Sequence, residues 1–398
     1  MKRRVVITGL GVVSPIGIGK EEFWKNLIKG KSGVRKITLF DTSKFKRHYA
    51  AEVKNFNPSQ FIDKRKLKFL GRSSQLSIVA TILALKDANI NFKDVNGVLI
   101  GTTMAEHQQV EVLLKEWFKG DKKIEKNRVV LSPASNLSAN TAQSLKIKGL
   151  NMLIPTACSA GNYTISYGFD LIKKGDADCI IVGGADALSF IAFSGFQRLY
   201  AMAPKVCQPF DKNRKGMILG EGAGVLVLES LEKALKRKAK IYAEILGYGL
   251  SCDAYHMTIP HYKGIEKAIK KALDSANVSP EDIDYICAHG TGTIQNDKAE
   301  CKAIKNVFGR RYKKIPVSSI KSMIGHCMGA ASSIEAVACC LAIENGVIPP
   351  TINFQTPDPE CDIDCVPNKS RKANLRIVLN NGFAFGGNNC CVVLGKLS

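Results

Sequence analysis

The chain has 398 residues, enough to bury a large core, and its length suggests two or more structural units that can still form one compact body. Hydrophobic residues make up 45% and charged residues 23%, which excludes a mainly disordered chain. Lys and Arg number 57 against 35 Asp and Glu, a formal charge of +22, so acidic partners are favoured and basic ones repelled.

Residues 1–15, Met1-Lys-Arg-Arg-Val-Val-Ile-Thr-Gly-Leu-Gly-Val-Val-Ser-Pro, begin with the positive charge of a signal peptide. The apolar run is short and broken by Gly, Ser and Pro, so it predicts a first strand and a loop. Gly9-Leu-Gly is no dinucleotide fingerprint, because the third glycine would fall on Ser14. Basic clusters at 63–72, 119–128 and 233–240 lack the aromatic interleaving or zinc-finger spacing of nucleic-acid binders.

Short apolar runs at 98–101, 179–184, 224–228, 283–288 and 390–394 predict buried strands. Residues 263–276 place Ile265, Ala268, Ile269, Ala272, Leu273 and Ala276 on one face of an amphipathic helix. Strands alternating with helices call for an α/β fold whose sheets are covered on both faces. A soft boundary near residue 240 divides the chain into 1–240 and 241–398. No linker marks it, so the halves are expected to share one core. The segments 156–175 and 325–346 echo one another in layout: a small-residue turn, a helix and a glycine stop. No segment is long and apolar enough to span a bilayer. Thirteen cysteines form no disulfide framework and no paired CxxC elements, which fits free thiols in a reducing cytosol.

One of those cysteines has a distinctive setting. In Thr156-Ala-Cys-Ser-Ala-Gly, Cys158 precedes a helical pattern that runs through Tyr163, Ile165, Phe169 and Ile172 to Lys173, Lys174 and Gly175. A thiol at a helix N-terminus meets unpaired N–H groups and the positive end of the dipole, which predicts a depressed pKa and a ready oxyanion site. Of six histidines, two lie at strand-to-helix turns where side chains can meet in one cleft: His289 in His289-Gly-Thr-Gly-Thr and His326 in Lys321-Ser-Met-Ile-Gly-His. Zinc would need a fourth ligand and closer spacing, and a Cys-His protease has no use for a second histidine.

With Pro209-Phe-Asp-Lys-Asn-Arg-Lys-Gly, Gly220-Glu-Gly-Ala-Gly, Asp253-Ala-Tyr-His-Met-Thr and Phe383-Ala-Phe-Gly-Gly, these motifs fall in the order of the β-ketoacyl-acyl carrier protein synthases of the KAS I/II type, which the chain resembles nearly end to end. The resemblance implies the thiolase fold: two similar halves, each with a mixed five-stranded sheet, in an αβαβα layered sandwich, as a cytoplasmic homodimer. It implies decarboxylative condensation of malonyl-ACP with a Cys158-bound acyl group to give 3-oxoacyl-ACP, in fatty acid elongation or in a specialised lipid or polyketide pathway. His289 and His326 would hold the malonyl thioester carbonyl. Lys321 would be the active-site lysine with Glu335 as its partner, and Phe385 the gating phenylalanine.

By the same resemblance Thr291 and Thr293 would bind the phosphopantetheine arm, and Met104 and Phe383 would contact substrate. Lys64, Arg65, Lys68, Lys126 and Arg128 would dock the acidic acyl carrier protein (ACP). No tightly bound cofactor and no metal are expected, the substrates being carried on the phosphopantetheine of ACP. The sequence departs from the family pattern at Gly382, Ala384, Asn388, Ile294 and Ile324. A coenzyme A thiolase would show a second catalytic cysteine in a C-terminal Cys-x-Gly motif, and an initiating synthase would replace one histidine by asparagine. Neither feature is present.

Overall fold

The computed structural model describes residues 3–120 and 126–397, with side chains in the second stretch from residue 128 onward. Ten strands form two sheets of five. The first holds β1 (Val5–Ser14), β2 (Gly97–Gly101), β3 (Leu150–Ile154), β4 (Cys179–Asp186) and β5 (Gly222–Ser230), in the order β3-β2-β4-β5-β1. The second holds β6 (Ala243–Cys252), β7 (Tyr285–Cys287), β8 (Val317–Ser318), β9 (Ile377–Phe383) and β10 (Asn388–Gly395), in the order β8-β7-β9-β10-β6. In each, three parallel strands are followed by two antiparallel ones, so the sheets correspond strand for strand. Residues 5–7 of β1 pair with 243–245 of β6, which makes the hydrogen-bonded ladder continuous across both.

Helices α1 (Arg72–Ala88) and α2 (Asn136–Leu145) cover the outer face of the first sheet. The helices α3 (Ala160–Lys174), α4 (Tyr262–Ala276), α5 (Ile294–Phe308) and α6 (Ala331–Asn345) complete the layers. Here α3 and α6 lie between the sheets, while α4, with α5 beside it, covers the outer face of the second. This is the five-layer order implied by the resemblance.

Sequence explains which helix goes where. In α4 one stripe is buried and the rest exposed, as in a surface helix, whereas every residue of α6 from Ala331 to Ile343 is buried. Small residues let α6 sit close: a Cβ at Gly161 would lie 2.5 Å from the amide of Ser333, and one at Gly224 equally near that of Ile334. Both central helices end on a left-handed glycine, Gly175 and Gly346, as the echoed layout predicts. Parallel strands β2, β3, β4, β7, β8 and β9 all deliver their C-terminal ends to the seam between the halves. A site belongs there.

Candidate active site

The residues after β3 rise into Thr156, turn through Ala157 with φ of +50°, and run as a 3₁₀ turn, Ala157–Ser159, into α3. Left-handed backbone at a non-glycine residue is a strained conformation that surrounding structure must hold. It sets Cys158, 5% exposed, against a cavity of about 440 Å³. His289, His326, Thr291, Thr293, Phe383 and Phe385 line the same cavity. Three residues separated by up to 168 positions in sequence thus converge: Cys158 and His289 follow the ends of β3 and β7, and His326 follows a short helix, Lys321–Ile324, on the way into α6.

The expectation of a depressed thiol pKa is overturned. Burial pushes the Cys158 thiol up to about 12. The groups anticipated from sequence do act in the expected direction: the Lys321 charge and the amides of Phe385 and of Cys158 itself favour the thiolate. Desolvation in a nearly closed site outweighs them. The resting thiol is therefore neutral.

The imidazoles of His289 and His326 meet edge to face, with ring centroids 5.4 Å apart. The amide of Met328 donates to Nδ1 of His326 at 3.0 Å, which leaves the proton of the neutral ring on Nε2. Burial and the nearby ammonium of Lys321 hold both rings well below the ordinary histidine range, so they are neutral donors rather than cations. His289 is fixed through its backbone. Glu300 accepts from the amides of His289 at 2.9 Å and Gly290 at 2.8 Å, and Asn381 donates to the same carboxylate at 3.1 Å.

Lys321 and Glu335 form an ion pair with no solvent exposure on either side. Burial works against the ammonium, but Glu335 more than offsets it and holds Lys321 above the ordinary lysine range. Thr291 and Thr293 share a hydrogen bond of 2.8 Å between their hydroxyls at the cavity wall. Asp297 orders their turn by accepting from the amides of Phe210 and Gly292.

Phe385 rests 5.8 Å from Phe196, ring to ring, on a loop whose next two residues are left-handed glycines, Gly386 and Gly387. That loop is tied to the segment after β6: Gly386 donates to the carbonyl of Met257 and Asp253 to that of Gly387. Met104 lies outside the cavity lining, in the apolar cluster with Phe193, Phe196, Met202, Met217, Met328 and Phe385.

The basic residues lie elsewhere on the surface. Lys64, Arg65 and Lys68 are exposed; Arg65 pairs with Asp63, and the Lys68 ammonium sits 4.8 Å from the ring of Phe69. Arg128 is half-buried beside Glu116, and the side chain of Lys126 is outside the described residues. Of the departures from the family pattern, Ile294 stands half-exposed at the cavity mouth and Ile324 is core.

Sequence reasoning missed Glu300, Asp297 and Asp186, three buried carboxylates that accept backbone amides around the site. Their signal was weak: single acidic residues in otherwise ordinary helix and strand patterns.

Residues 2–234 match the model of the beta-ketoacyl synthase N-terminal domain and residues 242–355 that of its C-terminal domain. The chain is 41% identical to the 3-oxoacyl-[acyl-carrier-protein] synthase 2 of Staphylococcus aureus (strain COL), covering 99% of this chain and 98% of that protein. Among solved structures, the ishigamide ketosynthase/chain length factor superposes with a TM-score of 0.97 at 46% identity over the full length of both chains. A ketosynthase bound to the hexaketide, in complex with its type II polyketide synthase acyl-carrier protein, superposes at 0.91 and 34% identity, again over both full chains. With both family domains matched in order and the 41% identity running the length of the chain, the chain belongs to the beta-ketoacyl synthase family.

Proposed function

We propose that this protein condenses malonyl-ACP with an acyl group held on Cys158, releasing carbon dioxide and 3-oxoacyl-ACP, in fatty acid elongation. The observation that carries the proposal is the meeting of a thiol with two neutral imidazoles in one buried cavity. In the first half-reaction Cys158 Sγ attacks the acyl thioester, and the departing phosphopantetheine thiol takes up the proton that Cys158 gives up. The amides of Cys158 and Phe385 stabilise the oxyanion. In the second, the bond from the malonyl α-carbon to its carboxylate breaks, and the electron pair left behind is delocalised onto the thioester oxygen. Histidine N–H donors in a dry site stabilise that enolate, which water would not do as well. The carbanion then attacks the Cys158 thioester carbonyl, the new carbon–carbon bond forms as the bond from that carbonyl to Cys158 Sγ breaks, and the departing thiolate takes a proton from solvent water to restore the thiol.

Lys321 and Glu335 set the field around the histidines, Thr291 and Thr293 guide the pantetheine arm, and Phe385 gates the acyl side beside Phe383. The exposed cations Lys64, Arg65 and Lys68, with Lys126 and Arg128, receive the acidic carrier protein. Edge strand β3, exposed at Leu150 and Asn151, and the exposed apolar residues Leu114, Trp117 and Phe118 support a homodimer. Thirteen unpaired cysteines support a reducing, cytoplasmic setting. Among the described residues no helix is long and apolar enough to cross a membrane. The chain is read as two halves, residues 1–240 carrying the nucleophile and 241–398 carrying the histidines.

The 46% identity to the ishigamide ketosynthase/chain length factor favours a second reading, the same chemistry in a specialised pathway with a related partner subunit. Incubation of the protein alone with acyl-ACP and malonyl-ACP, followed by mass spectrometry, separates the two. Formation of saturated-chain 3-oxoacyl-ACP supports elongation. Product only after addition of a second subunit supports the specialised pathway, and no acyl-enzyme with any acyl-ACP overturns both.

A further inference from the structure

Asp186 closes β4 and is entirely buried, yet it lies in no motif considered above and does not line the cavity. All its hydrogen-bonding capacity goes to two loops. Oδ1 accepts from the hydroxyl of Thr102 at 2.7 Å and the amide of Met104 at 2.8 Å. Oδ2 accepts from the amide of Thr103 at 2.8 Å and, from the other half of the chain, the amide of Gly329 at 2.7 Å. Four donors converge on one side chain. Only a carboxylate offers four acceptor positions in so small a volume.

The Gly329 contact matters because of its neighbour. Met328 and Gly329 are successive residues of one tight turn; the first amide donates to Nδ1 of His326 and the second to Asp186. The turn is locally unfavourable, since Met328 has φ of +52°. It also has no slack, because a Cβ at Gly329 would come within 2.5 Å of Thr102 Cα. A strained turn packed against a loop keeps its shape only if contacts over-determine it, and Asp186 is bonded to both the turn and the loop.

We propose that Asp186 is a positioning residue for the condensation: it fixes the 328–330 turn and, through the Met328 amide, keeps His326 as an Nε2–H donor toward the cavity. A carboxylate buried solely for stability would be a poor choice, because its desolvation is costly and an apolar packing residue serves as well. Holding a backbone amide on a histidine nitrogen is a task that apolar packing cannot perform. The orienting logic is that of the carboxylate in a Ser-His-Asp triad, transmitted here through main chain instead of by direct contact.

The inference rests on the proposed role of His326 in malonyl decarboxylation, and the test separates the two. Nitrogen-15 NMR of histidine-labelled protein, with His326 assigned from the His326→Gln variant, reports which ring nitrogen is protonated. The wild type is expected to show His326 with the proton on Nε2. In Asp186→Asn, whose amide group must face at least one N–H donor, the tautomers should mix. Malonyl-ACP decarboxylation should then fall at least about 10-fold, as for other outer-shell partners of histidine, while acylation of Cys158 is largely kept. Equal loss of both half-reactions, or an unaltered tautomer with unaltered decarboxylation, overturns the proposal. So does a wild-type His326 protonated on Nδ1, a result that needs no variant to fold. A wild-type decarboxylation rate in His326→Gln removes the role of His326 itself, whereas normal loss there with no effect of Asp186→Asn removes Asp186 alone.

Discussion

The rings of His289 and His326 stand at 83° to one another with centroids 5.4 Å apart, so a charge on one disfavours a charge on the other. The lysine that sits near them, Lys321, reinforces neutrality by its charge. Two neutral donors suit an enolate oxygen, and the backbone amides at Cys158 suit the acyl oxyanion. The two steps should therefore separate on mutation. Replacing either histidine by Ala is expected to cut malonyl decarboxylation by about 100-fold or more, the scale of a lost oxyanion donor. Cys158 should still be acylated from acyl-ACP. Carbon dioxide release and acyl-enzyme mass, measured on the same samples, check this; parallel loss of both would make one histidine the general base for the thiol.

The neutral thiol makes its own prediction. With burial holding the Cys158 thiol at about 12, the thiolate is a minor species at pH 7. Burial disfavours the anion, so its fraction must grow as pH rises. Alkylation of the unliganded enzyme by iodoacetamide should climb about tenfold per pH unit from 7 to 10, with no plateau near 8.5. Lys321→Met removes a favourable cation and should slow alkylation further at every pH. A plateau near 8.5 in the wild type would show that the thiol is solvated in the resting enzyme.

Much of this site was legible in sequence because its chemistry is punctuated by unusual residues. Cys158 among small residues and a histidine at each of two strand-to-helix turns could be found without coordinates, and the equal layouts of 156–175 and 325–346 became the central helices α3 and α6. The sign of the Cys158 shift was not legible, because helix-end electrostatics are local in sequence while desolvation depends on how completely distant loops close the cavity. Asp186 and Glu300 escaped for a related reason. Each acts through backbone amides of residues brought close only by the fold, Gly329 for the first and Gly290 for the second, and backbone donors leave no trace in composition.

Buried neutral histidines also leave a mark on stability. Both rings titrate well below the ordinary value when folded, whereas in the unfolded chain they bind protons near pH 6.5. The unfolded state therefore takes up more protons as pH falls, and the stabilisation present above about 6.5 is lost below it. Each histidine should contribute a slope of up to about 1.4 kcal/mol per pH unit between pH 6 and 5. Urea unfolding of wild type and of the His289→Asn, His326→Asn double variant at pH 7, 6 and 5 isolates this from the buried carboxylates around the site, Asp186, Asp297, Glu300 and Glu335, which burial raises and whose effect on stability runs the opposite way. The difference in unfolding free energy between the two proteins should change in favour of the variant on acidification. A constant difference would mean that the rings are already solvated in the folded state.

Phe385 and Phe196 meet at one wall of the cavity with Met217 lining it beside them, and Met104, Met202, Met328 and Phe193 belong to the same apolar cluster outside the lining. A cluster rich in unbranched thioethers can repack when Phe385 swings aside on its glycine-flanked loop, so it can receive a chain that has no space in the closed form. Met104 has its backbone amide pinned by Asp186, so its side chain must move within a fixed frame. Met104→Phe adds rigid volume to that frame at a cost of about 1–3 kcal/mol wherever the chain must share it. Short acyl groups end before they reach the cluster and escape the cost. The variant is therefore expected to load acetyl and butyryl groups from ACP onto Cys158 at wild-type rate, and to load long chains about 5- to 160-fold more slowly, the kinetic equivalent of that penalty. Acyl-enzyme formation across a series of acyl-ACPs, followed by intact-protein mass spectrometry, measures it directly. Uniform slowing at every chain length would place Met104 in the structural core alone and route the acyl chain elsewhere.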